Sequence, residues 1–167
     1  PHYFISILRK YKPLEQVSLD EVVNIVKIFQ FLLKDLKKIS NFFISGINSG
    51  WSVYIAAKLS KRVYCLLNNH LDKERLEDFF KERKIDNVFF KSGTNFEQWC
   101  IVAPFDVIII TSPVKKISNK LKENISKNGL LMMPLLGNNK TEFIKVNTFN
   151  QLQVLDINYK LLNCSIL

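Results

Sequence analysis

The residues whose spacing points most directly to chemistry are Ser45-Gly46-Ile47-Asn48-Ser49-Gly50, where the apolar run Phe42-Phe43-Ile44 enters a turn that opens a helix. Strand, glycine turn and helix in that order form the first half of a nucleotide-binding βαβ unit. Gly46 lets the chain turn sharply, and Gly50 lets helix and strand approach closely. Asn48 stands where a third glycine is expected, and asparagine tolerates a left-handed backbone. On residue types alone the turn reads equally as a cofactor loop or as a structural turn. The remaining candidates carry less. His2 and His70 are isolated, and Cys65 lies in the middle of an apolar run, a setting that suits packing better than nucleophilic attack. Trp51 and Trp99 read as core or rim packing. Ser18 begins Ser18-Leu19-Asp20-Glu21, a capping box that accounts for its hydroxyl. Cys65, Cys100 and Cys164 are far apart, with no CxxC and no His/Cys cluster, so neither a metal site nor a disulfide is expected.

The turn has to be held by strands and helices, and the chain supplies them in alternation. After Pro1 to Leu14, read as loop, a helix is expected from the Ser18 cap, with Val22, Val23, Val26, Phe29, Leu32, Leu33 and Leu36 as its apolar stripe. Val53 to Leu59 follows the turn as a helix, and Arg62 to Leu67 reads as a buried strand. A charged helix with Leu71, Leu76, Phe79 and Phe80 on its inner face leads to a third strand, Asn87 to Lys91. Phe105 to Thr111 is apolar on both faces, hence central in a parallel sheet. Val114 to Lys127 carries Ile117, Leu121 and Ile125 at four-residue spacing, which predicts a helix closed at Gly129 by a left-handed cap. Leu130 to Leu136 is a fifth strand. Glu142 to Thr148 and Leu152 to Leu162 have only an Asn150-centred turn between them, so they pair as an antiparallel hairpin. The expected fold is a three-layer, doubly wound α/β domain with a mostly parallel sheet and a terminal antiparallel hairpin.

The 167 residues suit one domain: a lead-in and helix over 1–40, a βα core over 41–137 and the hairpin over 138–167. Apolar residues make up 47% and charged residues 23%, a globular balance, and no apolar run approaches a membrane span. A soluble, cytoplasmic protein without a signal peptide is expected. The net charge of +9 raises nucleic acid as a partner. Its distribution argues against one, because lysines alternate with acids, as in Asp72-Lys73-Glu74-Arg75, in the manner of solvated helix surface.

From Asn87 to Gly137 the chain resembles the protein-L-isoaspartate O-methyltransferases, a family of the class I S-adenosylmethionine-dependent methyltransferase fold. The likeness is carried by Asn87-Val88, Gly93, Trp99, Ala103-Pro104-Phe105-Asp106, Ile108-Ile109, Thr111, Leu121, Gly129 and Pro134. The opening turn extends it backward, with Gly46, Ser49 and Gly50 matching the family's glycine motif and Trp51 in place of a tyrosine. The resemblance covers roughly residues 40 to 137. It implies that S-adenosylmethionine contacts Gly46, Asn48, Ser49, Gly50, Leu67, Asn68 and Thr94, and that its methyl group passes to the carboxylate of an isoaspartyl residue in a protein or peptide. It implies a structural role for Asp106, and it leaves Ser18 as the nearest counterpart of the family's substrate-side serine.

Three positions depart from the pattern. The resemblance places acidic residues at Ile44, at Leu67, where a carboxylate holds the ribose hydroxyls, and at Thr94, beside the adenine. Each carboxylate hydrogen bond contributes on the order of 1.5 to 3 kcal/mol, and leucine supplies none, so cofactor binding is expected to be weakened. The alternatives are a homologue without catalysis that serves as a binding or scaffold protein and, further off, a methyltransferase with another acceptor such as RNA.

Overall fold

The computed structural model describes residues 19–36, 38–46 and 50–160. The loop expected over Pro1 to Leu14 and residues 161–162 of the expected hairpin lie outside them, and within them the second hairpin strand ends at Leu155, short of the expected Leu162. Within them the elements run α1 (Leu19–Asp35), β1 (Ile39–Ser45), α2 (Gly50–Leu59), β2 (Ser60–Leu67), α3 (His70–Glu82), β3 (Val88–Ser92), a 3-10 helix (Phe96–Val102), β4 (Phe105–Ile110), α4 (Asn119–Glu123), β5 (Ile125–Leu136), β6 (Thr141–Asn147) and β7 (Leu152–Leu155).

The strands form one seven-stranded sheet in the order β3-β2-β1-β4-β5-β6-β7. Pairing is parallel from β3 through β5 and antiparallel from β5 to β7. Strand order reverses between β1 and β4, where the chain stops building outward on one side and starts on the other. Beyond the carboxyl ends of the strands at such a reversal, open α/β sheets bind their ligands.

The sheet is buried on both faces, which is why β4 is apolar without alternation from Val107 onward: Phe105, Val107 and Ile108 are wholly buried and Ile109 nearly so. One face packs against α1, α2 and α3 through Ile25, Phe29, Leu32, Trp51, Leu76 and Phe80. The other is covered more thinly, by the 3-10 helix, α4 and the segment before it, with Trp99, Leu121 and Ile117 on Phe43, Ile108 and Met133.

Four local expectations need correction. The apolar stripe of α1 is Ile25, Ile28, Phe29 and Leu32, at helical spacing, while Val23 and Leu33 are exposed. Leu71, in the first turn of α3, is also exposed. The helix expected over Val114 to Lys127 is only the five residues of α4. Val114 bridges to Leu135, and Ile125 already pairs with Phe105 as the start of β5. Ile117, Leu121 and Ile125 still face one cluster, but a loop, a helix and a strand supply them. Gly129 is no helix cap either; it lies inside β5, where a Cβ would stand 2.9 and 3.0 Å from the carbonyl oxygens of Phe105 and Asp106. Close approach of the neighbouring strand, not a left-handed turn, explains that glycine. The Asn150 turn is as expected, with φ of 57°.

Candidate functional site at the carboxyl ends of the strands

The four strands around the reversal end in a row of backbone hydrogen bonds that continues the sheet past its last residues. Gly93 N–H donates to Leu67 O at 2.8 Å, Gly46 N–H to Leu66 O at 3.2 Å, and Thr111 N–H to Ser45 O at 3.0 Å. The ends of β3, β2, β1 and β4 are thereby held side by side, and the residues that follow them form one rim.

At its centre is Gly46, with φ of +79°, where β1 ends. A Cβ there would meet Thr111 Oγ1 at 2.6 Å and Ser112 Oγ at 3.1 Å, so both backbone conformation and space demand glycine. Gly50 begins α2, and its open Cα faces Leu76 of α3, 3.0 Å from where a Cβ would be. The close approach it allows is thus between two helices rather than between helix and strand. Gly93 has φ of +134° and turns the chain from β3 toward the 3-10 helix, whose first turn is capped by Asn95 Oδ1 accepting from Glu97 N–H at 2.9 Å.

The other expected contacts separate into two groups. Asn68 and Thr94 are exposed directly after β2 and β3, and neither side chain hydrogen-bonds another described residue. Neighbouring Asn69 is already occupied, capping α3 by accepting from Asp72 N–H at 2.8 Å. Leu67, in contrast, is 1% exposed and packs in the helix-side core with Leu76 and Phe80, as does Ile44. Ser18, Asn48 and Ser49 lie outside the described residues. Residue patterns missed Thr111 as a site residue, although its place immediately after a central parallel strand is a signal available in the sequence. Its hydroxyl donates to Gly46 O at 2.6 Å and lies 3.2 Å from Ser45 O.

Two ionisable groups near the central strands have structural settings. Burial pushes the Cys65 thiol far above its ordinary value, which keeps it protonated and unreactive. Asp106 lies at the opposite end of the strands: Oδ2 accepts from Ser40 N–H at 2.6 Å and Asn41 N–H at 3.1 Å, and Oδ1 from Ser126 Oγ at 2.9 Å. Its role is to brace the start of the sheet. Among the described residues no His, Cys, Asp and Glu cluster could hold a metal ion, and no helix is long and apolar enough to cross a membrane.

Sheet order, reversed terminal strands and a glycine turn at the reversal define the Rossmann-like methyltransferase fold. Solved structures agree. A protein-L-isoaspartate O-methyltransferase from Plasmodium falciparum in complex with S-adenosyl-L-homocysteine aligns with a TM-score of 0.61 at 18% identity, over 83% of this chain and 69% of that one. Coclaurine N-methyltransferase aligns at 0.52 and 19%, over 69% and 35%. The model of the protein-L-isoaspartate(D-aspartate) O-methyltransferase family matches residues 21–161, and the chain belongs to that family. Among curated relatives, the protein-L-isoaspartate O-methyltransferase of Dictyoglomus turgidum is 30% identical over 123 residues, covering 70% of this chain and 53% of its own. That of Opitutus terrae is 27% identical over 113 residues, 68% and 48%. The chain spans about half the length of these relatives.

Proposed function

We propose that this chain forms the donor-binding core of an S-adenosylmethionine-dependent methyltransferase acting on isoaspartyl carboxylates in proteins or peptides. The observation that carries the reading is the Gly46 turn at the β1/β4 reversal, in a chain of this family. The residues fit an adenosyl ligand in part. The Gly46 turn, with φ of +79°, presents backbone rather than a side chain at the rim, and the Asn68 amide and Thr94 hydroxyl stand exposed on the same rim. A ribose carboxylate is missing, because Leu67 is apolar and turned into the core.

When bound, S-adenosylmethionine supplies an electrophilic methyl group on a sulfonium. The acceptor is a carboxylate, already ionised at neutral pH, so the protein need not provide a general base. The work left to this chain is orientation. Gly46 and Gly93 shape the rim, Asn68 and Thr94 offer polar groups to a ribose or adenine, and Gly50, Asn48 and Ser49 belong to the segment that opens α2. Ser18 is the acceptor-side candidate, a role that rests on the resemblance alone.

With isoleucine, leucine and threonine in place of three carboxylates, affinity is expected to be weaker than about 1 μM, which corresponds to roughly −8 kcal/mol. Calorimetry with S-adenosylhomocysteine tests this, alongside base-labile methyl incorporation into an isoaspartyl peptide. A dissociation constant well below 1 μM would show that the missing acids are compensated. Absence of binding at millimolar ligand would remove the donor-site reading, and binding without transfer to the peptide would remove the acceptor assignment.

A further inference from the structure

Thr111 is wholly buried, directly after β4, and its hydroxyl does not serve its own strand. Side chain and amide converge on the segment leaving β1: N–H and Oγ1 lie 3.0 and 3.2 Å from Ser45 O, and Oγ1 donates to Gly46 O at 2.6 Å. The partners are 65 and 66 residues earlier in the chain, so this contact exists only because β1 and β4 are neighbours. Gly46 is shaped to receive it. A Cβ at Gly46 would lie 2.6 Å from that same Oγ1, so the hydroxyl fills the space the glycine leaves. Gly46 leaves the strand conformation with φ of +79°, and the Thr111 hydroxyl meets its carbonyl.

We propose that Thr111 is a positioning residue for the donor turn: by holding the Gly46 carbonyl it sets the direction in which the chain leaves β1, and thereby the affinity of the rim for an adenosyl ligand that Thr111 does not touch. The inference rests on the donor-site reading above. A buried threonine that only filled space would need its methyl group and not its hydroxyl. Loss of the hydroxyl leaves the Gly46 carbonyl facing an apolar group, while Ser45 O keeps the amide of residue 111, and the turn relieves the loss by shifting.

Thr111→Val keeps the volume and removes the donor, whereas Thr111→Ser keeps the donor and removes the methyl. Two readouts are taken on each full chain, the dissociation constant of S-adenosylhomocysteine and backbone amide exchange over residues 46–50, with the thermal midpoint as the measure of global stability. Valine is expected to weaken binding about tenfold and to speed exchange in that segment, and serine to match the native chain in both. Thr111→Cys, similar in size with only a weak donor, replaces valine if valine does not fold. Native affinity and exchange in the valine chain overturn the proposal, as does a serine chain that loses binding as fully as the valine one. If the native chain binds no S-adenosylhomocysteine, the donor-site reading fails by itself, and the exchange arm decides: unchanged exchange in the valine chain sinks the role of the hydroxyl.

Discussion

The two ends of the parallel strands are built on different plans. At the amino ends, side chains do the tying. Asp106 gathers the starts of β1 and β5 onto β4, Asn41 Nδ2 donates to Pro104 O at 3.1 Å, and Asn87 Nδ2 donates to Ala57 O at 2.8 Å and Ser60 O at 3.1 Å. At the carboxyl ends the ties between strands are backbone bonds and the Thr111 hydroxyl, with Lys91 and Gln98 joining the end of β3 to the 3-10 helix, while Asn68 and Thr94 stand exposed with no described partner. Polar groups spent on bracing cannot meet a ligand, and groups left exposed add little to stability. Under the proposed donor-site reading, the difference gives stability to one end and recognition to the other.

The largest expected effect comes from breaking the bracing end. Asp106→Ala removes an acceptor shared by two backbone amides and a hydroxyl, and leaves the amides of Ser40 and Asn41 partly buried without it. Hydrogen bonds to a charged group contribute about 1.5 to 3 kcal/mol each and are not additive, so a loss of about 3 kcal/mol is expected in urea unfolding. Affinity for S-adenosylhomocysteine should not change at temperatures where the variant is folded. A large fall in affinity with little loss of stability would reverse the assignment of the two ends.

The next effect tests the carboxyl end. Leu67→Glu restores an acid where the resemblance places one, but Leu67 is 1% exposed in the helix-side core. Burial raises the folded-state pKa of such a glutamate, so the destabilisation grows as pH rises through the carboxylate range and is smallest in acid. About 2 kcal/mol is expected at neutral pH, from lost apolar burial and a poorly solvated carboxyl group. Asn68→Asp, one residue on and exposed, should cost almost nothing in thermal midpoint and should tighten the adenosyl ligand by a few-fold, on the scale of about one hydrogen bond. Stability lost at Asn68 and kept at Leu67 would show that the rim is organised otherwise.

Much of this was legible in the sequence, and the reasons for the failures are physical. Val107 to Ile110 announced a central strand because a sheet covered on both faces favours an unbroken apolar run. Gly46 announced a turn because strand, glycine and helix follow one another within a few residues. Gly129 was misread because Asn-Gly after a lysine-rich run looks like a helix end, whereas its real constraint is the backbone of β4, distant in sequence. Val23 and Leu33 were assigned to a stripe that tertiary packing set on a neighbouring face, where Asn24 is buried and accepts from Asn158 N–H at 3.1 Å. Leu67 was placed correctly at a strand end, and alternation puts it on one face with Val63 and Cys65, but only the fold shows that this face is the one the helices cover. Thr111 was read only as the end of a strand, for the same reason that Gly129 was misread: what it does depends on a strand that arrives by pairing.

The smallest effect is a control on the comparison, at a contact outside both sets of strand-end ties. Lys120 on α4 forms an ion pair with Glu97 on the 3-10 helix, and both groups are solvent-accessible. The hydrogen bond from Lys120 and then its charge hold the Glu97 carboxyl below its ordinary value, and the same bond raises Lys120. A carboxyl with a depressed folded-state pKa contributes stability above its unfolded value and loses that contribution as pH falls through the folded one. Lys120→Met should therefore lower the thermal midpoint slightly at neutral pH, and the difference should vanish in acid below the ordinary glutamate range. Salt should narrow the neutral-pH difference, as screening does for any exposed pair. Ligand affinity should stay unchanged, because the pair holds neither the Gly46 turn nor the residues after β2. A midpoint difference that persists unchanged in acid would mean that Lys120 acts through the packing of its stem on the thin face rather than through Glu97, and a loss of affinity would extend the recognition end down into α4.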